Sequence, residues 1–339
     1  MNTEMRAVAL GGGHGLHATL TALRRLTDDV TAVVTVADDG GSSGRLRREL
    51  GLLPPGDLRK ALAALAAADD GGARWADVFQ HRFGGSGALT GHAVGNLLLA
   101  GLFEVLGDPV AGLDEAARLL GVSGRVLPMS TDPLDIEAEV TGLEPDGAVS
   151  RIRGQVAVAS TPGQVQRITL HSVVPADSPG AGAGVTPAVT PPQACREAVE
   201  AVLSADVVFL GPGSWFTSVL PHLLVPELHD ALVKTSATKI VILNLVPQPG
   251  ETAGFSPEQH LDVLFQHAPR LGVDAVIADR DSVPTPARLH SAAAALGGRA
   301  HLASIATPGA VGRHDPDALA GCVRDALGAT SAKEGLSWR

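Results

Sequence analysis

The sequence predicts an α/β protein of the Rossmann-like, doubly wound kind, with a mainly parallel sheet, an inserted antiparallel β-hairpin region and an extra helical layer. Near both ends of the chain, short apolar runs of strand length alternate with segments of helical periodicity. Several of these runs end in glycine-rich loops, which is typical of parallel strands whose carboxyl ends hold a ligand. In the middle of the chain, apolar and polar residues alternate, and this pattern indicates antiparallel strands.

We expect one domain over residues 1–330 and a frayed tail over 328–339. Within the domain, the composition and periodicity separate an N-terminal half at 6–130, a β insertion at 131–175, a flexible loop at 175–193 and a second α/β half at 194–327. The loop prediction rests on a segment rich in proline, glycine, alanine and threonine.

The first strand–helix–strand unit spans residues 6–36. An apolar strand at 6–10 precedes a helix with Leu16, Leu20, Leu23 and Leu26 on one face, and a second strand follows at 30–36. A right-handed crossover places the two following loops, 11–15 and 38–44, side by side at one sheet edge.

The remaining elements follow from the same patterns. Helices at 58–68, 75–83, 113–120 and from the 90–96 stretch to about 106 predict a helical layer that forms a wall or lid over the site. The β insertion contains predicted strands at 134–140 and 148–158, joined by a turn at 145–147, and a third strand at 166–173. The second half contains predicted strands at 206–210, 239–246, 273–278 and 301–305, with helices at 195–203, 257–267, 285–296 and 315–327.

Composition excludes several classes of protein. The 26 basic and 36 acidic residues give a net charge of −10, which argues against a nucleic-acid surface or an anionic membrane as partner. Aromatic residues make up 3% of the chain, with no tyrosine, so base-stacking platforms are not expected. We find no signal-peptide layout and no apolar run of membrane-spanning length, which favours a cytoplasmic protein. The distant Cys195 and Cys322 are expected to be buried apolar side chains.

A run of carboxylates, glycines and serines follows the second predicted strand. It comprises Asp38, Asp39, Gly40, Gly41, Ser42, Ser43 and Arg45, and a basic stretch at 45–50 is predicted to be helical. Glycines let a ligand approach the backbone, and the free N–H groups of a following helix attract anions. The two aspartates are suited to sugar hydroxyls or a divalent metal, and Arg45 is suited to a phosphate. The alternative is a polar strand-to-helix turn in which aspartate and serine act as caps.

The loop after the first strand comprises Gly11, Gly12, Gly13, His14, Gly15 and Leu16. It resembles a dinucleotide fingerprint, but Leu16 stands where the third glycine is expected. Asp38 lies where a ribose-binding acid would be found. A nucleotide therefore fits this loop, NAD is not specified, and a tight turn for close packing is the alternative. His14 is expected to face the ligand.

A third loop predicts an anion site. It comprises Gly211, Pro212, Gly213, Ser214, Thr217 and Ser218, between a strand and a helix. Backbone N–H groups and the three hydroxyls are expected to converge at the helix start, although no Walker motif is present. An ordinary helix cap is the alternative.

Weaker patterns indicate four further candidate ligand-binding side chains. Asp57 is expected to cap the helix at 58–68, while Arg59 is placed to meet a phosphate or an aspartate. His92 and Asn96 share a helix face, where they either line a polar pocket or satisfy each other in the core.

The turn that follows the predicted strand at 239–246 is also a candidate. Gln248, Glu251 and Thr252 are suited to contact a sugar or an adjacent subunit of a homo-oligomer, and a proline-stiffened turn is the alternative. No spacing specifies a catalytic apparatus, so no catalytic residue is assigned unless Asp38 and Asp39 serve an enzyme.

Seven stretches occur in an order that resembles the YvcK-type branch of the CofD-like superfamily, over about residues 5–310. They are GGGHGL (11–16), VTVADDGGSSGRLR (34–47), PPGDLRKAL (54–62), GHAVGNLLLA (91–100), VLPMS (126–130), GPGSWFTSVLPHLLV (211–225) and NLVPQPGET (244–252). His14 replaces a threonine usual in that branch, and Lys60 stands where an asparagine is typical.

The resemblance implies a bacterial cytoplasmic protein that binds UDP-sugars such as UDP-N-acetylglucosamine and needs no cofactor. It also implies a link to gluconeogenic growth, cell shape and peptidoglycan synthesis, with a cell-wall or carbon-metabolism protein as partner. The related branch implies the alternative, a 2-phospho-L-lactate transferase that moves a phospholactyl-type group from a guanylylated donor to a deazaflavin. NAD-dependent chemistry is a weaker third alternative.

Overall fold

The strands form a large parallel sheet and a small antiparallel sheet. The computed structural model describes residues 5–145, 147–172 and 191–334. Within these residues the large sheet has seven strands, β1 (Ala7–Gly11), β2 (Val30–Val34), β3 (Arg125–Pro128), β7 (Val207–Leu210), β8 (Thr238–Ile242), β9 (Ala275–Asp279) and β10 (Arg299–Ala303). The small sheet consists of β4 (Leu134–Thr141), β5 (Ser150–Arg153) and β6 (Gln164–Ser172).

Helices cover the sheet and extend it. They are α1 (Gly13–Leu23), α2 (Gly41–Leu50), α3 (Pro55–Leu65), α4 (Asp70–Gln80), α5 (Val94–Leu106), α6 (Pro109–Leu120), α7 (Gln155–Ala159), α8 (Arg196–Ser204), α9 (Pro226–Lys234), α10 (Pro257–His267), α11 (Pro286–Ala295) and α12 (Pro316–Glu334). The sequence order places α2 to α6 between β2 and β3, which is the extra helical layer that the sequence predicts.

The order of the large sheet, β10-β9-β8-β7-β1-β2-β3, creates a topological switch point. From β1 the chain adds β2 and β3 on one side, and it then returns to add β7 to β10 on the other side. All neighbouring strands pair in parallel, so right-handed crossovers place helices on both faces. The crevice between the carboxyl ends of β1 and β7 is where such sheets bind ligands. The predicted doubly wound fold class is confirmed.

The central strands are apolar because both of their faces are covered. All residues of β1 and β7 are buried, which explains runs without alternation. By contrast, β4 alternates between buried and half-buried residues along its whole length, as expected of a sheet with one solvated face. The sequence therefore distinguishes the two sheets through their periodicity.

The β insertion differs in detail from the prediction. The strand predicted at 148–158 is only β5, and residues 155–159 form α7 after Gly154, which has φ of 103°. β4 is the central strand of the small sheet, in the order β5-β4-β6. Position 146 in the predicted turn and most of the predicted loop, 175–190, lie outside the described residues.

Several helices begin at other residues than predicted, among them α4, which begins at Asp70 rather than at 75, and α6, which begins at Pro109 rather than at 113. α2 starts at Gly41 rather than at Arg45, so the serines lie inside its first turn. α3 starts at Pro55, since proline is favoured at the first helical position. The prediction that Asp57 caps this helix is wrong for the same reason: the cap position belongs to Pro54, and Asp57 lies within the first turn.

The last helix is longer than predicted, since α12 continues to Glu334 instead of ending at 327. Residues 335–339 lie outside the described part. Cys195 and Cys322 are buried and free, as predicted, and burial raises the pKa of each thiol to about 11. No helix in the described part is long and apolar enough to cross a membrane.

Candidate functional site

Two cavities open at the switch point. We call them the small cavity, of about 270 Å³, and the large cavity, of about 530 Å³. The small cavity is lined by Gly12, Gly13, His14, Gly15, Asp38, Asp57, Lys60, Gln155, Gly213, Ser214, Ser218 and Gln248. The large cavity is lined by His14, Gly15, His17, Ala18, Thr21, Pro212, Gly213, Asn244, Leu245, Val246, Gln248, Gly312, Arg313, His314 and Pro316. The four shared residues, His14, Gly15, Gly213 and Gln248, make them two lobes of one cleft.

The first and third glycine loops touch each other at this cleft. A Cβ atom on Gly15 would lie 2.2 Å from the carbonyl oxygen of Pro212 and 2.5 Å from the Cα of Gly213. A Cβ atom on Gly12 would lie 2.6 Å from a carboxylate oxygen of Asp57. At Gly15 the neighbours are backbone atoms, so this glycine allows two backbones to approach closely at the cleft wall, whereas at Gly12 the neighbours are side chains.

The small cavity contains an acidic pair and a cation. Asp38 Oδ1 accepts a hydrogen bond of 2.9 Å from the Gly40 N–H. Burial, together with the nearby charge of Asp57, raises the pKa of the Asp38 carboxyl. Lys60 lies across the same cavity, and its Nζ is 2.9 Å from Asp57 Oδ1. Asp38 is thus the carboxylate that faces the cavity without a salt bridge of its own.

Asp39 does not face the cleft. Its Oδ1 accepts a hydrogen bond of 3.0 Å from the Val156 N–H, at the first turn of α7. The carboxylate therefore binds the positive end of a helix from the β insertion instead of a ligand. This contact holds α7 in place, and α7 contributes Gln155 to the small cavity.

The anion site predicted at the third loop is filled by the protein's own Glu251. The Phe216 N–H donates to Glu251 Oε2 at 3.0 Å, and Thr217 Oγ1 donates to Oε1 at 2.7 Å. The Ser214 hydroxyl also donates to this carboxylate. Ser218 lines the small cavity, but the N–H groups and hydroxyls that bind Glu251 are not free for a phosphate.

The turn that carries Glu251 is held at several points. The Gln248 N–H donates to Thr252 Oγ1 at 2.8 Å, so Thr252 holds the turn while Gln248 lines both cavities. Asn244 exchanges two hydrogen bonds of 2.8 Å with the backbone of Gly213. The ends of β7 and β8 are thereby joined at the cleft.

A buried polar network connects α2, α3 and α5 behind the cleft. Arg59 Nε donates to Asn96 Oδ1 at 2.8 Å, and Asn96 Nδ2 donates to Ser42 Oγ at 2.9 Å. Ser42 Oγ lies 2.9 Å from Nδ1 of His92. Burial lowers the pKa of Arg59 to about 10. Of the two alternatives for His92 and Asn96, the structure shows the core network, because the early start of α2 turns Ser42 towards α5.

Other predicted contacts also lie off the cleft. Arg45 Nη2 donates to the Thr90 carbonyl at 2.7 Å, and the Ser43 hydroxyl hydrogen-bonds to Asp38. The predicted residues that line neither cavity are Gly11, Leu16, Asp39, Gly40, Gly41, Ser42, Ser43, Arg45, Arg59, His92, Asn96, Gly211, Thr217, Glu251 and Thr252. Those that line one or both are Gly12, Gly13, His14, Gly15, Asp38, Asp57, Pro212, Gly213, Ser214, Ser218 and Gln248.

Several lining residues were not predicted from the sequence. Lys60 follows Asp57 at the i,i+3 spacing of a helical ion pair, and this spacing was the available signal. Arg313 and His314 follow β10, so applying the rule of carboxyl strand ends to the last strand would have found them. The sequence contains no comparable signal for Gln155 and His17, because these residues reach the cleft only through the packing of the folded chain.

The chain is similar to known proteins over most of its length. The 2-phospho-L-lactate transferase CofD family matches residues 7–300. The putative gluconeogenesis factor of Mycobacterium tuberculosis is 58% identical over 327 residues, covering 94% of this chain and 90% of the relative. The gluconeogenesis factor of Bacillus subtilis is 36% identical over 284 residues, covering 84% and 81%.

A solved structure has the same fold. The crystal structure of a UPF0052 family member from Bacillus halodurans aligns with a TM-score of 0.80 at 33% identity, covering 94% of this chain and 98% of that chain. Together with the matches in sequence, this shows that the chain belongs to the CofD family and, within it, to the group of gluconeogenesis factors.

Proposed function

We propose that the protein is a regulator that binds a nucleotide sugar of the UDP-N-acetylglucosamine type in the cytoplasm, and that it links this ligand to gluconeogenic growth, cell shape and peptidoglycan synthesis. The observation that carries the proposal is the two-lobed cleft at the switch point. Its small lobe is charged and glycine-lined, whereas its large lobe adds apolar side chains, such as Leu245 and Val246. A ligand with a diphosphate between a sugar and a base suits this division.

The first glycine loop is the better phosphate site. α1 begins at Gly13 with no side-chain cap, so the N–H groups of its first turn are available to an anion. The start of the helical segment at Trp215 already binds Glu251. We therefore assign the diphosphate to the α1 start and to Lys60, and sugar hydroxyls to Asp38.

Calorimetric titration with UDP-N-acetylglucosamine, UDP-glucose, GDP and NAD tests the proposal. We expect a UDP-sugar to bind most tightly and to be recovered unchanged after prolonged incubation. A preference for GDP or NAD would contradict the assignment of ligand, and steady consumption of the UDP-sugar would contradict the role of regulator.

Lys60→Gln provides a variant for the same titration. Removing a charge-assisted contact to phosphate is expected to weaken binding by about tenfold. Lys234→Gln removes an exposed lysine of α9 that does not line the cleft and serves as the matched control. If the two variants bound the UDP-sugar with equal affinity, Lys60 would not contact the phosphate.

A second candidate is a group transferase of the phospholactate type, and the pairing of Asp38 with Asp57 in the small cavity favours it. Among the described residues, no group of three histidine, cysteine or carboxylate side chains could hold a metal ion. Magnesium, however, is commonly held by one or two carboxylates together with phosphates of the substrate. The residues present fit the metal only in that shared form.

The transferase predicts turnover that depends on Asp38. With a guanylylated phospholactyl donor, a deazaflavin acceptor and magnesium, Asp38→Asn would abolish product formation. An Asp39→Asn variant, which alters the α7 contact, is the comparison. Absence of any product from the wild-type protein would exclude this candidate.

A further inference from the structure

The short helix α7 brings the β insertion to the small cavity. Among the described residues of the insertion, Gln155 is the one that lines this cavity. It is the first residue of α7 and is half-buried, and its side-chain amide makes no hydrogen bond within the described part of the chain. Asp38, Asp57 and Lys60 line the same cavity. A neutral polar side chain that is free to bind a ligand is thus added to a set of charged ones.

The start of α7 is held in place by Asp39. The Val156 N–H donates to Asp39 Oδ1 at 3.0 Å, and the Gly154 N–H donates to the Ile136 carbonyl in β4 at 2.8 Å. A Cβ atom on Gly154, whose φ is 103°, would lie 2.3 Å from Asp39 Oδ2. Asp39 therefore contacts the residues on both sides of Gln155, which fixes the backbone of Gln155 at the cavity.

The other end of α7 packs against the turn that follows β8. A Cβ atom on Gly250 would lie 2.1 Å from the Ala159 carbonyl oxygen, so the backbones of the turn and of α7 are in close contact. Both segments that α7 contacts also line the small cavity, one through Asp38 and the other through Gln248. The helix therefore bridges two cavity-lining segments.

The chemistry of an amide suits a sugar better than a diphosphate. An amide both donates and accepts hydrogen bonds, as a sugar hydroxyl does, whereas phosphate oxygens only accept them. An ionised carboxylate such as Asp38 accepts from hydroxyl groups but has no donor for the carbonyl of an acetamido group. The amide N–H groups of Gln155 supply that donor without adding charge.

We propose that Gln155 is a sugar-specificity residue that hydrogen-bonds to the sugar of the bound nucleotide sugar, and that Asp39 positions it through α7. This inference rests on the proposed nucleotide-sugar function and deepens it. It gives the β insertion a role, which is to complete the sugar end of the cleft. It also gives Asp39 a role at the site, although its carboxylate does not face the cleft.

Calorimetric titration of Gln155→Met with UDP-N-acetylglucosamine and with UDP tests the inference. Methionine keeps the length of the side chain and removes the amide. We expect the wild type to bind the UDP-sugar more tightly than UDP. The variant should bind the UDP-sugar about three- to tenfold more weakly than the wild type and should retain its affinity for UDP. Gln266→Met, at an exposed position of α10 that lines neither cavity, is the matched control and should behave as the wild type.

The outcomes separate this inference from the proposed function. If the wild type preferred the UDP-sugar and Gln155→Met retained the full preference, the inference would fail and the proposed function would stand. Equal affinity of the wild type for both ligands, or an equal loss for both in the variant, would also overturn the inference. Binding of neither ligand to the wild type would end the proposed function, and this inference with it.

Asp39→Ala tests the positioning of Gln155. It removes the acceptor of the Val156 N–H and should reduce the preference for the UDP-sugar over UDP. Its affinity for UDP shows whether the rest of the cleft is intact. An unchanged preference would show that Asp39 does not position Gln155.

Discussion

Substitution of Gly15 by alanine is the sharpest test of the contact between the two glycine loops. The added Cβ would lie 2.2 Å from the Pro212 carbonyl oxygen, whereas ordinary contact begins at 3.4 Å. The backbone must therefore move by about 1.2 Å (3.4 − 2.2) to accommodate one methyl group. Both close neighbours are backbone atoms, Pro212 O and Gly213 Cα, so no side chain can rotate away.

The expected change in the free energy of unfolding is the sum of two opposing effects. Overpacking of this kind costs about 1–3 kcal/mol. The higher helix propensity of alanine recovers at most about 1 kcal/mol. We expect Gly15→Ala to lower the free energy of unfolding by about 1–2 kcal/mol. Gly101→Ala is the matched control: it is also a glycine within a helix, nothing lies within 4 Å of its added Cβ, and we expect a gain of about 0.5–1 kcal/mol.

Urea denaturation, monitored by tryptophan fluorescence, measures the free energy of unfolding of both variants. Trp215 is a suitable probe because it is fully buried in the third loop region. The slope of unfolding free energy against urea should stay unchanged. If Gly15→Ala were as stable as Gly101→Ala, the close approach of the two loops would be refuted.

Three further predictions concern buried charge and hydrogen bonding. Glu251→Ala removes the acceptor of the Phe216 N–H and of the Ser214 hydroxyl, while Thr217 can still donate to Ser214 Oγ. It should cost about 2–4 kcal/mol by urea denaturation, whereas Glu251→Gln, which keeps an acceptor, should cost about half as much. Asn96→Leu removes the partner shared by Arg59 and Ser42 and should cost about 2–3 kcal/mol in the same assay; a neutral result would show that the network contributes no stability. Because the native pKa of Asp38 is raised above its unfolded value, the stability of the wild type falls as the pH rises between those two values. Asp38→Asn should therefore have a higher Tm than the wild type at pH 7, and the difference should narrow as the pH falls; a constant difference in thermal melts would contradict this.

Most of the fold could be predicted from local patterns. The apolar runs at β1, β2 and β7, the helical periodicity of α1 and α10, and the alternation in β4 are local properties of sequence, and each element is found near its predicted position. The structure differs from the prediction where a short segment is compatible with either a strand or a helix. Residues 155–159 form a helix rather than extending a strand, because α7 lies at the small cavity and the Val156 N–H at its start donates to Asp39.

The candidate site was predictable only in part. Glycines that follow a parallel strand indicate a ligand edge, and this rule located Gly12, Gly15 and Gly213. It does not tell which carboxylate faces the cavity. Asp38 and Asp39 are adjacent in sequence, and their opposite directions depend on what packs against each one.

The sequence by itself determined the fold class, the edge of the sheet that carries the candidate site and the family, because these depend on periodicity, strand ends and ordered motifs. Only the tertiary structure decided which groups are free to act at that edge. Glu251 fills the anion site of the third loop from 35 residues beyond Phe216. His314 enters the cleft from the loop after the last strand. Such pairings are set by packing between distant segments, and no local pattern records them.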